Sequence, residues 1–310
     1  MLPLALRSSK TTPVDLAEYL GFSTDSVDDA VSYLAKVDSH LVIAAVNELN
    51  LNFRPCVEKE FDGVESFITQ NWITADLSKI KNMPILIGFN SDESHWRHMS
   101  LEDEYYENVN LRDSLALVFN VEENEFKGME DTIRHFYFGD DPMSGAVKRN
   151  VIDFDSDFLY VYPTHRSISK YLDYEAGNIF FYVFSYSGER NFFKDLFNYT
   201  GATHCDELGY LFDISYMKDK PVTPEDEIII NQMTTMWTNF VKYGDPTPQI
   251  SDLLQIQWTP IKNLSQIPYL NIDAQLSLGG RPFHRRVTFW DLFYKANYDN
   301  LLTAQNPSEI

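Results

Sequence analysis

The chain has 310 residues, 44% hydrophobic and 15% aromatic, which is material for one large or two ordinary packed domains and too apolar for a disordered chain. Its 25 Lys and Arg against 46 Asp and Glu leave a formal charge of −21, the wrong sign for holding a nucleic-acid backbone. Two cysteines, Cys56 and Cys205, with no Cys-x-x-Cys pair, exclude a disulfide-dense scaffold and a zinc or redox site of that spacing.

At the amino end, Met1-Leu-Pro-Leu-Ala-Leu is broken by Pro3 and meets Arg7, too short for the apolar core of a secretory signal. As written, nothing directs the chain out of the cytosol; a secreted or endoplasmic-reticulum location requires a leader ahead of Met1. Ser26 is a helix cap followed by acidic residues, with Val27, Val31, Leu34 and Val37 at helical spacing. Leu41, Ala45, Val46 and Leu49 repeat that spacing, so two small amphipathic helices separated near Asp38 and Ser39 are expected on the face of something larger. Phe53 to Glu60 carries Pro55 and little period.

Met83 to Phe89 reads as a strand apolar on both faces, begun by Pro84 and stopped by Gly88. Such strands lie between helices in parallel sheets. From Leu101 to Asp131 ten acidic residues face only Arg112 and Lys127, the composition of solvated helix surface. The second apolar strand runs Ile179 to Tyr186, and Ile179 to Phe184 is the longest purely apolar or aromatic run, far short of the roughly 18 residues of a membrane span. About ninety residues of helical or irregular pattern separate the two strands, which makes an α/β class with a mostly parallel sheet the economical reading. Thr223-Pro-Glu-Asp226 starts a helix whose face is Ile229, Met233, Met236, Trp237 and Phe240, ended by Gly244 and the prolines beyond. Trp258, Tyr269 to Ile272, and Phe289 to Tyr294 complete a tail of short elements. No linker, repeat or low-complexity tract divides residues 1–310, so one domain without internal boundary is expected.

Two segments carry the chemistry. Glu93 follows the first strand in Ile87-Gly-Phe-Asn-Ser-Asp-Glu93-Ser94, and His204 follows the second in Gly201-Ala-Thr-His204-Cys-Asp-Glu207. An acid and then a histidine, each on a loop after a strand, match two members of a hydrolase triad, although a hydrogen-bonded loop histidine is the plainer alternative. Glu93, His95 and His98 do not make a recognised metal-ligand spacing, and no cofactor or metal is expected. His95, Trp96 and His98 are expected to line or cover the site. Cys205 adjoins His204, but neighbours on an extended segment point opposite ways, so Cys205 is expected as a small buried side chain rather than the partner of a Cys-His pair. Asn198-Tyr-Thr200 and Asn263-Leu-Ser265 are glycosylation sequons, relevant only on a secretory route.

Residues 84–93, Asp157 to Arg166, residues 201–212, and Met236-Trp-Thr-Asn-Phe-Val-Lys-Tyr-Gly-Asp-Pro-Thr-Pro248 together resemble the type-B carboxylesterase and cholinesterase family, its insect esterases most closely. The resemblance runs through nearly the whole chain in the family's order and ends at Phe289-Trp290. It implies the carboxyl-terminal part of an α/β-hydrolase fold, with an incomplete central sheet flanked by helices and a Ser, Glu, His triad. Glu93 falls on the triad acid and His204 on the histidine; the family usually has glycine where Ser94 stands. The strained nucleophile elbow needs Gly-x-Ser-x-Gly, and no serine of this sequence has that setting; the glycine-rich oxyanion segment is missing too. The resemblance therefore implies a carboxylic ester hydrolase acting on small or lipophilic esters, with this chain inactive by itself. The alternative is a non-catalytic binding or adhesion homologue.

Overall fold

A computed structural model describes residues 11–49, 51, 57–58, 63, 65, 67–70, 72–197 and 199–301. The chain divides into two compact units, one built on 3–76 and the other on 77–302.

The smaller unit holds three helices, α1 (Thr12–Tyr19), α2 (Val27–Leu34) and α3 (Ser39–Glu48). The Ser26 hydroxyl accepts the Asp29 N–H and the Asp38 carboxylate the His40 N–H, so the two expected helices are capped where the sequence places their starts. Their buried positions are Ala30 and, on the expected face, Ala45, while Val31 and Leu41 are exposed. Phe22 stacks on Tyr33 at 4.7 Å, and the Tyr33 hydroxyl donates to the Leu20 carbonyl at 2.8 Å. The unpatterned 53–60 stretch lies outside the described residues except for 57 and 58.

The larger unit is built on a four-stranded mixed sheet of β1 (Ile85–Asn90), β2 (Ile179–Phe184), β3 (Pro268–Ile272) and β4 (Ser277–Gly280), in that spatial order. β1, β2 and β3 are parallel and β4 is antiparallel. Between β1 and β2 run α4 (His95–His98), α5 (Asp103–Glu107), α6 (Leu111–Leu115), α7 (Glu123–Tyr137), α8 (Lys148–Ser156), a π-helical turn at Asp157–Val161, and α9 (Tyr162–Asp173). Long α10 (Pro224–Tyr243) follows β2, and α11 (His284–Ala296) follows β4. Phe289 to Tyr294 thus belongs to a 13-residue helix rather than a short element.

Both faces of β2 are covered, as its uninterrupted apolar run requires. Phe180 and Phe184 pack with Ile229, Met233 and Met236 of α10 and with Trp258, whose indole N–H donates to the Phe181 carbonyl at 3.1 Å. On the opposite face Phe181 meets Phe89 and His165, with ring centroids 5.4 Å away in each case. Gly88 lies inside β1 instead of ending it. It pairs with Tyr182, and a Cβ there would stand 2.4 Å from the Tyr182 ring; the glycine leaves room for the aromatic.

α10 carries the whole start and stop grammar of its sequence. Thr223 and Asp226 form a reciprocal capping box, Pro224 occupies the first turn, and Gly244 closes the helix at φ 68°. Met233→Ala should lower the unfolding free energy by about 2–5 kcal/mol, a buried large-to-small change. Thr223→Ala should cost only about 1 kcal/mol for the lost cap, and denaturant titration of the two variants distinguishes these magnitudes.

Candidate functional site

The parallel register sets Asn90 at the end of β1 beside Phe184 at the end of β2, so the segments that follow leave the same edge of the sheet. They are then bonded to each other directly. The Asp92 N–H donates to the Ala202 carbonyl at 2.8 Å and the His204 N–H to the Glu93 carbonyl at 3.1 Å. The Thr203 hydroxyl donates to the Glu93 carbonyl at 3.2 Å and accepts the Trp96 N–H at 2.9 Å. The fully buried Asn90 donates its amide to the Thr203 carbonyl at 2.7 Å and also to Glu207.

These bonds bring the two sequence-expected residues together. His204 Nδ1 lies 2.7 Å from Glu93 Oε2, and Glu93 Oε1 accepts the Asn90 N–H at 2.8 Å. Glu93 is buried, while the His204 side chain is 43% exposed with the Tyr160 ring against it at 4.7 Å. A carboxylate on Nδ1 fixes the ring's orientation and leaves Nε2 as the nitrogen free to exchange a proton. Cys205 and then Glu93, as acceptors toward the protonated ring, push the His204 pKa up to about 10.

The histidine segment hangs on Asp206, which the sequence reading did not single out. Its buried carboxylate accepts from the Thr203 N–H at 2.7 Å, the Phe192 N–H at 2.6 Å, the Asn191 amide at 2.9 Å and the Tyr199 hydroxyl at 2.9 Å. Burial still lifts its carboxyl above the ordinary value against those four donors. Glu207 is raised as well, first by burial and further by the neighbouring Glu93 charge. Asn90, Asp206 and Glu207 share one sequence signal: polar residues at the end of a buried strand or beside the candidate histidine.

Several expectations are corrected. The chain at Cys205 is not extended: the residue sits in a left-handed turn at φ 72° and is partly exposed. His98 is buried rather than open to solvent; it bonds to Asp155 at 2.8 Å and to the Tyr106 hydroxyl at 3.2 Å. His95 bonds to Asp92 at 3.0 Å, and Trp96, 40% exposed, stacks parallel to Phe193. Ser94, where the resembling family usually has glycine, adopts φ −88° and ψ 1°, a backbone any residue can take. Asn263 is exposed, and Asn198 lies outside the described residues. Among the described residues no three His, Cys, Asp or Glu side chains are grouped to hold a metal ion, and no helix is long and apolar enough to cross a membrane.

The profile of the carboxylesterase family matches residues 3–290. Esterase E4 of Myzus persicae is 30% identical over 201 residues, 59% of this chain and 35% of that protein. Juvenile hormone esterase of Heliothis virescens is 25% identical over 257 residues, 78% of this chain and 44% of that protein. The solved structure of juvenile hormone esterase from Manduca sexta superposes with a TM-score of 0.71 at 19% identity, covering 90% of this chain and 55% of that one. The fold is that of the α/β-hydrolase esterases, and the match covers 35% and 44% of the two curated relatives and 55% of the solved structure.

The raised pKa of His204 fixes the sign of a pH effect. Its contribution to stability is fully present below the ordinary histidine value of 6.5 and is lost as pH rises from there through about 10. Glu93→Gln should remove much of that alkaline loss and lower the midpoint of His204, read from its imidazole resonances by NMR titration.

Proposed function

The chain belongs to the carboxylesterase family, and from that premise we propose that it supplies the acid, Glu93, and the base, His204, of a serine esterase site. The observation that carries the proposal is the 2.7 Å contact between His204 Nδ1 and Glu93 Oε2. In this reading Glu93 holds the imidazole in the tautomer that presents Nε2 as acceptor and stabilises the imidazolium formed on proton uptake. Nε2 takes the proton of a serine hydroxyl as it attacks the ester carbonyl, then returns it to the departing alcohol. The substrates are small or lipophilic carboxylic esters. Residues 1–310 act as one stretch of a single family domain, because the profile runs across both compact units.

The nucleophile is not among these residues in the required Gly-x-Ser-x-Gly setting, and no glycine-rich segment provides oxyanion donors. The 310-residue chain is therefore inactive by itself. A binding homologue needs no carboxylate buried against an accessible histidine, so the geometry favours the catalytic reading over that alternative.

Purified as it stands, the chain should hydrolyse p-nitrophenyl acetate no faster than its His204→Ala variant. A rate lost on that substitution would mean that another nucleophile exists. The coding sequence ahead of Met1 gives the positive test. A product extended through an in-frame Gly-x-Ser-x-Gly should turn over short-chain esters and lose about 10³-fold or more in kcat on His204→Ala, whereas an extended product indifferent to that substitution overturns the role given to His204.

A further inference from the structure

Glu93 is held toward His204 by the bonds described above; a separate set of contacts holds its segment from the other side. The residues that flank Glu93 are both gripped by α8. Asp92 Oδ2 accepts Arg149 Nη1 at 2.8 Å, and the Ser94 N–H donates to the Ser156 hydroxyl at 3.0 Å. Arg149 and Ser156 stand seven residues apart, two helical turns, and so share one face of α8. Asp92 is 4% exposed and the His95 imidazole is its other basic partner, at 3.0 Å. Burial alone would disfavour its charge, but the bonds from His95 and Arg149 outweigh it and hold the carboxyl below the ordinary value.

Arg149 is itself braced from behind. Its second guanidinium nitrogen bonds to Asp153, one turn along α8. Asp153 in turn accepts Arg286 Nη1 at 2.8 Å from α11, and Arg286 Nε lies 3.1 Å from the buried Asp157 at the π-helical turn. The alternating series Asp92, Arg149, Asp153, Arg286, Asp157 thus runs from the residue before Glu93 to the far helix. The planar arginine fork can satisfy two carboxylates at once in fixed directions, which a lysine ammonium cannot.

We propose that Arg149 is a positioning residue that holds the Glu93 carboxylate in register with His204 by clamping Asp92 to α8. The proposal rests on the Glu93 and His204 pair of the preceding section. Arg149 is 55% exposed, so its replacement leaves the core intact. Glu93, Cys205, Glu207 and Tyr160 are set against His204, whereas Arg149 bonds to Asp92 and Asp153.

That separation gives the test a sign. Removing a nearby cation by its charge alone raises a histidine pKa, whereas displacing Glu93 lowers it. The full 310-residue chain is titrated by NMR as wild type, R149Q, R149K and E93Q, following the His204 imidazole and its Nδ1–H proton. E93Q should move the His204 midpoint down by about 1–3 pH units and abolish the Nδ1–H signal. R149Q should move the midpoint in the same direction by about one unit and weaken that signal, and R149K should recover part of both. A midpoint unchanged or raised in R149Q, set against a lost signal in E93Q, overturns the clamp and leaves the pair standing. Wild-type signals in E93Q remove the pair, and the clamp with it.

Discussion

The parallel pairing of β1 with β2 is the constraint on which the rest depends. Glu93 and His204 are 111 residues apart in the chain, and no local preference brings them together. The pairing does so by ending two strands at the same sheet edge, where their following segments run side by side. Parallel strands need a crossover to return the chain, and α4 to α9 make it. Those helices are not passive cover: α8 returns alongside the site and grips Asp92 and Ser94 on either side of the acid.

What holds this edge is polar and buried, so its bonds work together. Asn90, Asp206 and Thr203 are almost or wholly inaccessible, and each links one segment to the other or to its own turn. A buried polar group is costly when unpaired and stabilising when every bond is made. Asp206 draws four donors from three separate stretches of chain, which fixes the turn that carries His204. Glu93 is thereby seated on His204.

The high aromatic content serves that arrangement from below. Phe180, Phe181 and Phe184 cover both faces of β2 and meet rings from β1 and α9 on one side and Trp258 on the other. The resulting core is packed at fixed ring geometries, which keeps the strand ends in register. Trp290 of α11 adds a polar tie, since its indole N–H donates to the Tyr137 hydroxyl, and that hydroxyl donates to Asp157. The series of ion pairs that braces the acid segment thus ends in the aromatic core.

The sequence by itself determined the α/β class, the two buried strands and the capped and glycine-closed α10, and it singled out Glu93 and His204, which the structure brings into contact. Each of these is written locally: an apolar run, a Thr-Pro-x-Asp start, a family wording around Glu93 and His204. Other features were settled only by tertiary structure. Gly88 looked like a strand end and proved to be space for Tyr182, because the ring that needs it comes from β2. Cys205 looked extended and lies in a left-handed turn, beside an Asp206 held by the buried partners Asn191, Phe192, Tyr199 and Thr203. Ala30, not its larger neighbour Val31, faces inward, because period alone does not say which side of a short helix is covered. Asp92 stands in the sequence as a carboxylate just past the first strand, but Arg149 carries no sequence signal as its partner, since a salt bridge spanning 57 residues exists only once the crossover has folded back on the strand it left.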